Sequence, residues 1–213
     1  MTILQGRIFI ARHGETVFNA AGRMQGQQHL HTPLTSRGFE QATDMGAGLS
    51  AWLGTHQALA LWSSTAGRAL QTLAIIAEHI GADWHQTATD DRLQEIDVGT
   101  WSGRSYAEIA AEIGPFVDPE HSLFTVRAPE GEDYADVAAR LSSWIADTAD
   151  QRGDRLVVMH GMSSRVLRGL LLGLPVDERF GAPIAPSLAQ GTMVMVGNGV
   201  EKIIHAGAGT HRA

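Results

Sequence analysis

Three times along this chain a short, continuous apolar run stops at a polar turn and gives way to a helix-period pattern. That recurrence constrains the fold more than any other feature. Ile8-Phe9-Ile10-Ala11 runs into Arg12-His13-Gly14-Glu15, Ala58-Leu59-Ala60-Leu61-Trp62 into Ser63-Ser64-Thr65, and Leu156-Val157-Val158-Met159 into His160-Gly161. Runs this short and apolar throughout fit strands buried on both faces. The intervening segments carry the 3.6-residue period. After Thr35, an N-cap by residue type, Ala42, Met45, Leu49 and Leu53 share one face. Leu70, Leu73, Ala77 and Ile80 mark a second helix, with Gly81 placed to stop it. Val137, Leu141, Trp144, Ile145 and Thr148 mark a third; Val166, Leu167, Leu170 and Leu171 a fourth, closed by Gly173 and Pro175. Met193 to Val196, then Asn198-Gly199, then Val200 to Ile204 reads as a hairpin with a type I′ turn. Alternating strands and helices predict an α/β fold, a three-layer α/β/α sandwich with a mostly parallel sheet and an antiparallel edge.

Composition narrows the function classes. The chain has 213 residues, and with 44% apolar and 18% charged residues it can bury a real core. Sixteen basic against 23 acidic residues leave a net charge of −7, which argues against a general nucleic-acid binder. The absence of cysteine excludes a disulfide scaffold, a thiolate metal site and a cysteine nucleophile. Fifteen of the basic residues are Arg and one, Lys202, is Lys; Arg favours forked contacts with phosphate or carboxylate. No apolar stretch approaches the roughly 20 residues of a spanning helix. Met1 to Ile10 carries Arg7 inside a short apolar run and lacks a signal-peptide core. A cytoplasmic protein without a membrane partner is the expectation.

The order of elements also locates a site. In open α/β sheets, ligands bind outside the carboxyl ends of the strands. Arg12-His13, Arg68 and His160 all follow such ends, so residues far apart in sequence should converge there. Two guanidiniums beside two imidazoles make an electropositive cleft suited to a phosphoryl group. A neutral imidazole nitrogen can attack phosphorus and form a covalent intermediate, and neighbouring Arg charges lower the His pKa and keep it unprotonated. A carboxylic acid must then protonate the departing oxygen; Glu15, Asp91, Glu95 and Asp97 are the nearby candidates.

Arg12-His13-Gly14-Glu15-Thr16 resembles the signature of the histidine phosphatases, the phosphoglycerate mutase-like superfamily. Five further segments follow in that family's order. They are Gly22 to Gly26 with Pro33 to Ala42, Ser63 to Thr72 around Arg68, Arg92 to Gly103 around Glu95, Pro129-Glu130-Gly131-Glu132, and Val157 to Gly161. The resemblance implies one histidine phosphatase domain over 1–213, with a short lid insertion at about 100–131. It makes His13 the nucleophile that becomes phosphohistidine. Arg12, Arg68 and His160 would bind the transferring phosphoryl oxygens, and Asn19 would add a hydrogen bond. Glu95 would be the general acid and then the base. Gln25 and Gly26 would line the leaving-group side, and Gly161 accompanies the second His motif in the phosphate site. Gly14 is expected to allow a tight turn beside His13. Arg23 and Glu132 are open between structural and functional roles, and Arg165 reads as half of a structural pair. The implied mechanism uses no metal and no cofactor.

One segment departs from the family pattern. Gln27-Gln28-His29-Leu30-His31-Thr32-Pro33 lacks the Asp that the family often carries before the Pro-Leu-Thr turn. His29 and His31 have no third metal ligand evident in sequence and read as solvated loop residues or as part of the mouth of the site. The other histidines, His56, His79, His85, His121, His205 and His211, read as surface or loop residues. Between Trp101 and Gly131 the only cations are Arg104 and Arg127, where the mutases of the family typically carry a Lys and an Arg pair. The expectation is therefore a phosphomonoesterase acting on a small-molecule phosphate ester. The alternatives are a phosphoglycerate or sugar-phosphate mutase and, in a different class, a non-catalytic phospho-ligand module. The assembly is a monomer or a homodimer.

Overall fold

The computed structural model describes residues 6–54 and 58–209. His56 and His211, expected at the surface or in loops, lie outside the described residues. The chain runs β1 (Ile8–Arg12), α1 (Val17–Ala20), α2 (Ser36–Leu53), β2 (Ala60–Ser63), α3 (Gly67–His79), β3 (Ala88–Thr89), α4 (Tyr106–Ile113), α5 (Tyr134–Asp147), β4 (Arg155–Met159), α6 (Gly161–Leu172), β5 (Met193–Gly197) and β6 (Val200–His205). The six strands form one sheet in the order β3-β2-β4-β1-β5-β6. β3, β2, β4 and β1 pair in parallel, while β5 runs antiparallel to β1 and β6 antiparallel to β5. This is the three-layer α/β sandwich with an antiparallel edge that the alternating pattern predicts. Asn198 and Gly199 both take positive φ, 52° and 71°, as a type I′ turn requires.

The central strands β1 and β4 are buried along their whole length because both faces of the sheet are covered there. Ile8 and Ile10 of β1, Val157 and Met159 of β4, and Val194 and Val196 of β5 pack with α5 and α6 through Val137, Leu141, Trp144, Val166 and Leu167. The alternate residues Phe9, Ala11, Leu156 and Val158 pack with α2 and α3 through Met45, Leu49, Leu73 and Ile76. The four predicted helices form, with α2 and α5 burying most of their marked faces, and α3 and α6 burying Leu73 and Ala77, and Val166 and Leu167, of theirs. Thr35 caps α2, its hydroxyl accepting from the Gly38 N–H at 3.1 Å. Gly81 and Gly173 follow the ends of α3 and α6 with φ of 64° and 66°.

Register fixes the site. Arg12 of β1 stands opposite Met159 of β4, and Ser63 of β2 opposite Val158 of β4. The next residues, His13, His160 and Ser64, therefore leave three adjacent strands side by side. The 102–131 segment holds an element the sequence did not announce, α4, capped by a Ser105–Glu108 box. Of its eight residues only Ile109 is fully buried.

Candidate active site

His13 is 3% exposed, and its backbone N–H donates to the Met159 carbonyl at 3.0 Å. Its Nδ1 lies 2.7 Å from the Gly14 carbonyl. A carbonyl only accepts, so Nδ1 carries the proton and Nε2 keeps its lone pair. Burial pushes the His13 pKa well below 6.5, and the charges of Arg68 and Arg12 push it further. Arg12, 6% exposed, has a buried Nε with no hydrogen-bond partner. A buried guanidinium N–H left unpaired beside a neutral imidazole is a ready contact for an anionic oxygen. Burial lowers the Arg12 pKa, and the Glu95 charge opposes that.

Arg68, in the first turn of α3, is held rigidly. Its Nη2 donates to Gly26 O at 3.0 Å, its Nη1 to His29 O at 3.4 Å and its Nε to His160 Nδ1 at 3.2 Å. Burial lowers its pKa to about 10, against the pull of Glu95. The same contacts define His160. Because Arg68 only donates, Nδ1 accepts and Nε2 carries the proton, donating to Ser64 Oγ at 2.7 Å. His160 is fully buried, and its pKa is pushed well below 6.5 by burial first and Arg68 second. Its ring meets His13 edge to face at 5.2 Å. Both its nitrogens are thus engaged by the protein, and it stands outside the lining of the cleft.

Glu95 reaches the cleft across the first turn of α6. Its Oε1 accepts from the Ser163 N–H at 2.9 Å and the Ile96 N–H at 3.0 Å; Oε2 accepts from the Met162 N–H at 3.1 Å. His160, the N-cap residue of α6, provides no side-chain cap. Glu95 supplies it from elsewhere in the chain, so this helix terminus serves a carboxylate of the protein. The Glu95 carbonyl is clamped by Gln27 Nε2 at 3.0 Å and Arg140 Nη2 at 3.1 Å. Both clamps also bond the Glu132 carboxylate, which accepts from the Asp97 N–H as well. Glu132 is therefore a structural residue, and Arg140 of α5 is a supporting residue that sequence reasoning missed. Its only signal was an Arg on the buried side of a helix.

The other carboxylates weighed for the acid lie elsewhere. Glu15 binds the Thr35 hydroxyl, Asp91 binds Thr65 and Gln94, and Asp97 binds the Gly99 N–H. Among the described residues, Glu95 is the one acid lining the cleft, which also touches Arg12, His13, Asn19, Arg23, Gln25, Gly26 and Arg68; Arg23 donates to the Gly103 carbonyl at 2.8 Å. Asn19 Oδ1 is committed to the Thr16 capping box and to Gln190 Nε2, which leaves its NH2 to face a ligand. Gln25 donates to Thr16 Oγ1 at 2.6 Å and keeps a buried, unpartnered Oε1. Gly26 has φ of 53°, and a Cβ there would stand 2.7 Å from Val98 Cγ2. Gly161 opens α6 but does not line the cleft.

Three further expectations are sharpened. Gly14 is required by close approach: a Cβ there would lie 2.2 Å from Gly38 O of α2. Arg165 is structural, but its partners are the Ala185 and His121 carbonyls at 2.9 and 2.6 Å, with no acid. His29 is half-buried, its ring 4.9 Å from that of Phe18 and its carbonyl holding Arg68, while His31 is exposed. No group of three or more His, Cys, Asp or Glu side chains with metal-holding geometry occurs among the described residues. No helix among them is long and apolar enough to cross a membrane. Ser64 was also missed; a polar pair ending an apolar strand was its signal.

Similarity to known proteins agrees with this geometry. Residues 8–201 match the model of the histidine phosphatase superfamily, branch 1. A probable phosphoglycerate mutase GpmB of Salmonella arizonae is 33% identical over 172 residues, covering 79% of this chain and 76% of that protein. The structure of Bacillus stearothermophilus YhfR superposes with a TM-score of 0.71 at 27% identity, covering 97% of this chain and 98% of the other. A mycobacterial glucosyl-3-phosphoglycerate phosphatase solved with VO3 gives 0.67 at 26% identity, covering 92% and 96%. A cleft of three arginines, a neutral buried histidine and one carboxylate, on this sheet and with this match over nearly its whole length, assigns the chain to the histidine phosphatase superfamily.

Proposed function

We propose that the protein is a phosphomonoesterase that works through a phosphohistidine on His13, with Glu95 as general acid and base. The observation that carries this reading is the His13 tautomer: Nδ1–H is tied to Gly14 O at 2.7 Å, so the free lone pair sits on Nε2. In the first step Nε2 attacks phosphorus and the bond from phosphorus to the alcohol oxygen breaks. Glu95 gives that oxygen a proton. Arg12, Arg68 and the Asn19 NH2 bear the charge on the phosphoryl oxygens in transit. His160 acts through Arg68, whose Nε it anchors. In the second step Glu95 takes a proton from water, the water oxygen bonds to phosphorus, and the phosphorus–nitrogen bond breaks to free His13. Rapid quench with a phosphate-labelled ester should trap an acid-labile label on the protein. Persistence of that label in His13→Ala would overturn the assignment.

Hydrolysis over transfer is supported by the cations of the 102–131 segment. A bisphosphate-dependent mutase needs positive charge there for a second phosphate. Arg104 pairs with Glu112, and Arg127 binds Gly131 O at 2.7 Å and Asp136 at 3.1 Å. Neither lines the cleft; the further cation that does, Arg23, comes from outside this segment and donates to Gly103 O at 2.8 Å. The mutase reading draws on the name of the curated relatives. It predicts interconversion of monophosphoglycerates that starts only when a bisphosphate primer is added, whereas the phosphatase releases inorganic phosphate with or without primer.

A further inference from the structure

Beside the reaction cleft lies a second open cavity of about 380 Å³, and the two share a wall. Tyr106, Phe124 and Met162 line both. Met162 also donates its N–H to Glu95, so the shared wall begins where the leaving oxygen would take its proton. The rest of the cavity is built from Ala107, Val117, Pro119 and Ser122, with Asp118 as its one charged residue. Asp118 is itself buried and bonded to Arg179 at 2.8 Å and to His121. No Arg or Lys lines the cavity among the described residues.

The wall is also preformed. The Tyr106 ring stacks on Phe116, 16° from parallel at 6.1 Å, and Phe116 in turn packs on Phe124 at 5.9 Å. The Phe124 N–H donates to Tyr134 Oη at 2.8 Å, and Arg165 holds the His121 carbonyl. Rigid aromatic walls with few polar groups favour flat apolar ligands, which lose less water-facing polar area on entry. An anionic group in the same place would find no Arg or Lys in the lining, since the nearby Arg179 is already paired with Asp118.

From this we infer that the cavity is the subsite for the alcohol portion of the substrate, and that it takes a flat apolar or aromatic alcohol bearing no carboxylate and no second phosphate. The inference rests on the phosphatase reading and adds the substrate class. It is tested with phenethyl phosphate and 3-phosphoglycerate, both primary alkyl monoesters of similar intrinsic reactivity, on the full chain alongside rapid-quench labelling. Phenethyl phosphate should be favoured by about tenfold or more in kcat/KM, the scale of burying one apolar group. Ala107→Lys, at an exposed position on α4, should cut that preference about tenfold, chiefly by raising KM for the aromatic ester and lowering it for the anionic one. Val117→Lys should act in the same direction and guards against a local effect of the first variant. A phosphoenzyme that forms while 3-phosphoglycerate is preferred, or a preference that both variants leave unchanged, overturns the subsite alone. No label and no turnover of either ester overturns the phosphatase reading, and the subsite with it.

Discussion

At the scale of single residues, the site works by assigning protons and orphaning donors. Gly14 O decides which nitrogen of His13 is free, Arg68 decides the same for His160, and Arg12 keeps a buried N–H with no partner. Glu95 is the residue whose structural and chemical parts are hardest to separate, because both its oxygens also cap α6. Glu95→Gln turns one acceptor into an NH2 facing helix N–H groups. Loss of that cap should cost about 0.5–2 kcal/mol of stability, read by denaturant unfolding. Its chemical part appears as a dependence on leaving group. Turnover of alkyl phosphates should fall by about 100-fold or more, and of nitrophenyl phosphate far less, since a nitrophenolate leaves without a proton. Equal losses on both would count against the acid role. The motif residues Arg12, His13, Arg68, Glu95 and His160 were legible in the sequence. The partners that orient them were not, because Ser64 and Arg140 act across 96 and 45 positions of chain.

At the scale of elements, the helix faces and the hairpin could be read because they depend on local period and turn chemistry. α2, α3, α5 and α6 bury most of the residues their spacing marks, while Leu53, Leu70, Leu170 and Leu171 are half-buried and Ile80 follows the end of α3. α4 carries one local signal, its Ser105–Glu108 capping box, but with Ile109 as its one fully buried residue it shows no apolar face to read, and Tyr106 packs on Phe116 beyond the helix end. The crossing of β1's following turn over α2 is a second contact of this kind. Gly14 and Gly38 meet so closely that a Cβ on Gly38 would stand 2.1 Å from Glu15 O. Gly38→Ala must therefore push α2 away from the His13 turn. We expect a stability loss of about 1–3 kcal/mol by thermal unfolding, with a fall in kcat because Gly14 O no longer holds Nδ1 squarely. Unchanged kcat in a destabilised protein would separate the packing of this crossing from the orientation of His13.

At the scale of the whole molecule, burial of two neutral histidines under two arginines couples folding to pH. Both folded-state pKa values lie well below 6.5, so below that pH the unfolded chain takes up protons the folded chain cannot. Stability is then full above pH 6.5 and declines as pH falls, by up to about 1.4 kcal/mol per pH unit for each histidine. The melting temperature should drop between about pH 7.5 and pH 5, with a shallower drop in His13→Gln, and a slope identical in that variant would refute the coupling. The sequence by itself determined the layer order, the helix faces and the identity of the reacting groups. These follow from hydrophobic period, from turn residues and from side-chain chemistry, all carried by neighbours in the chain. Only the tertiary structure decided which nitrogen of each histidine is free, that the α6 terminus is spent on Glu95, and that an aromatic cavity without cations adjoins the cleft. Each of those depends on contacts between residues tens of positions apart, and strand register, not local sequence, brings them within a hydrogen bond of one another.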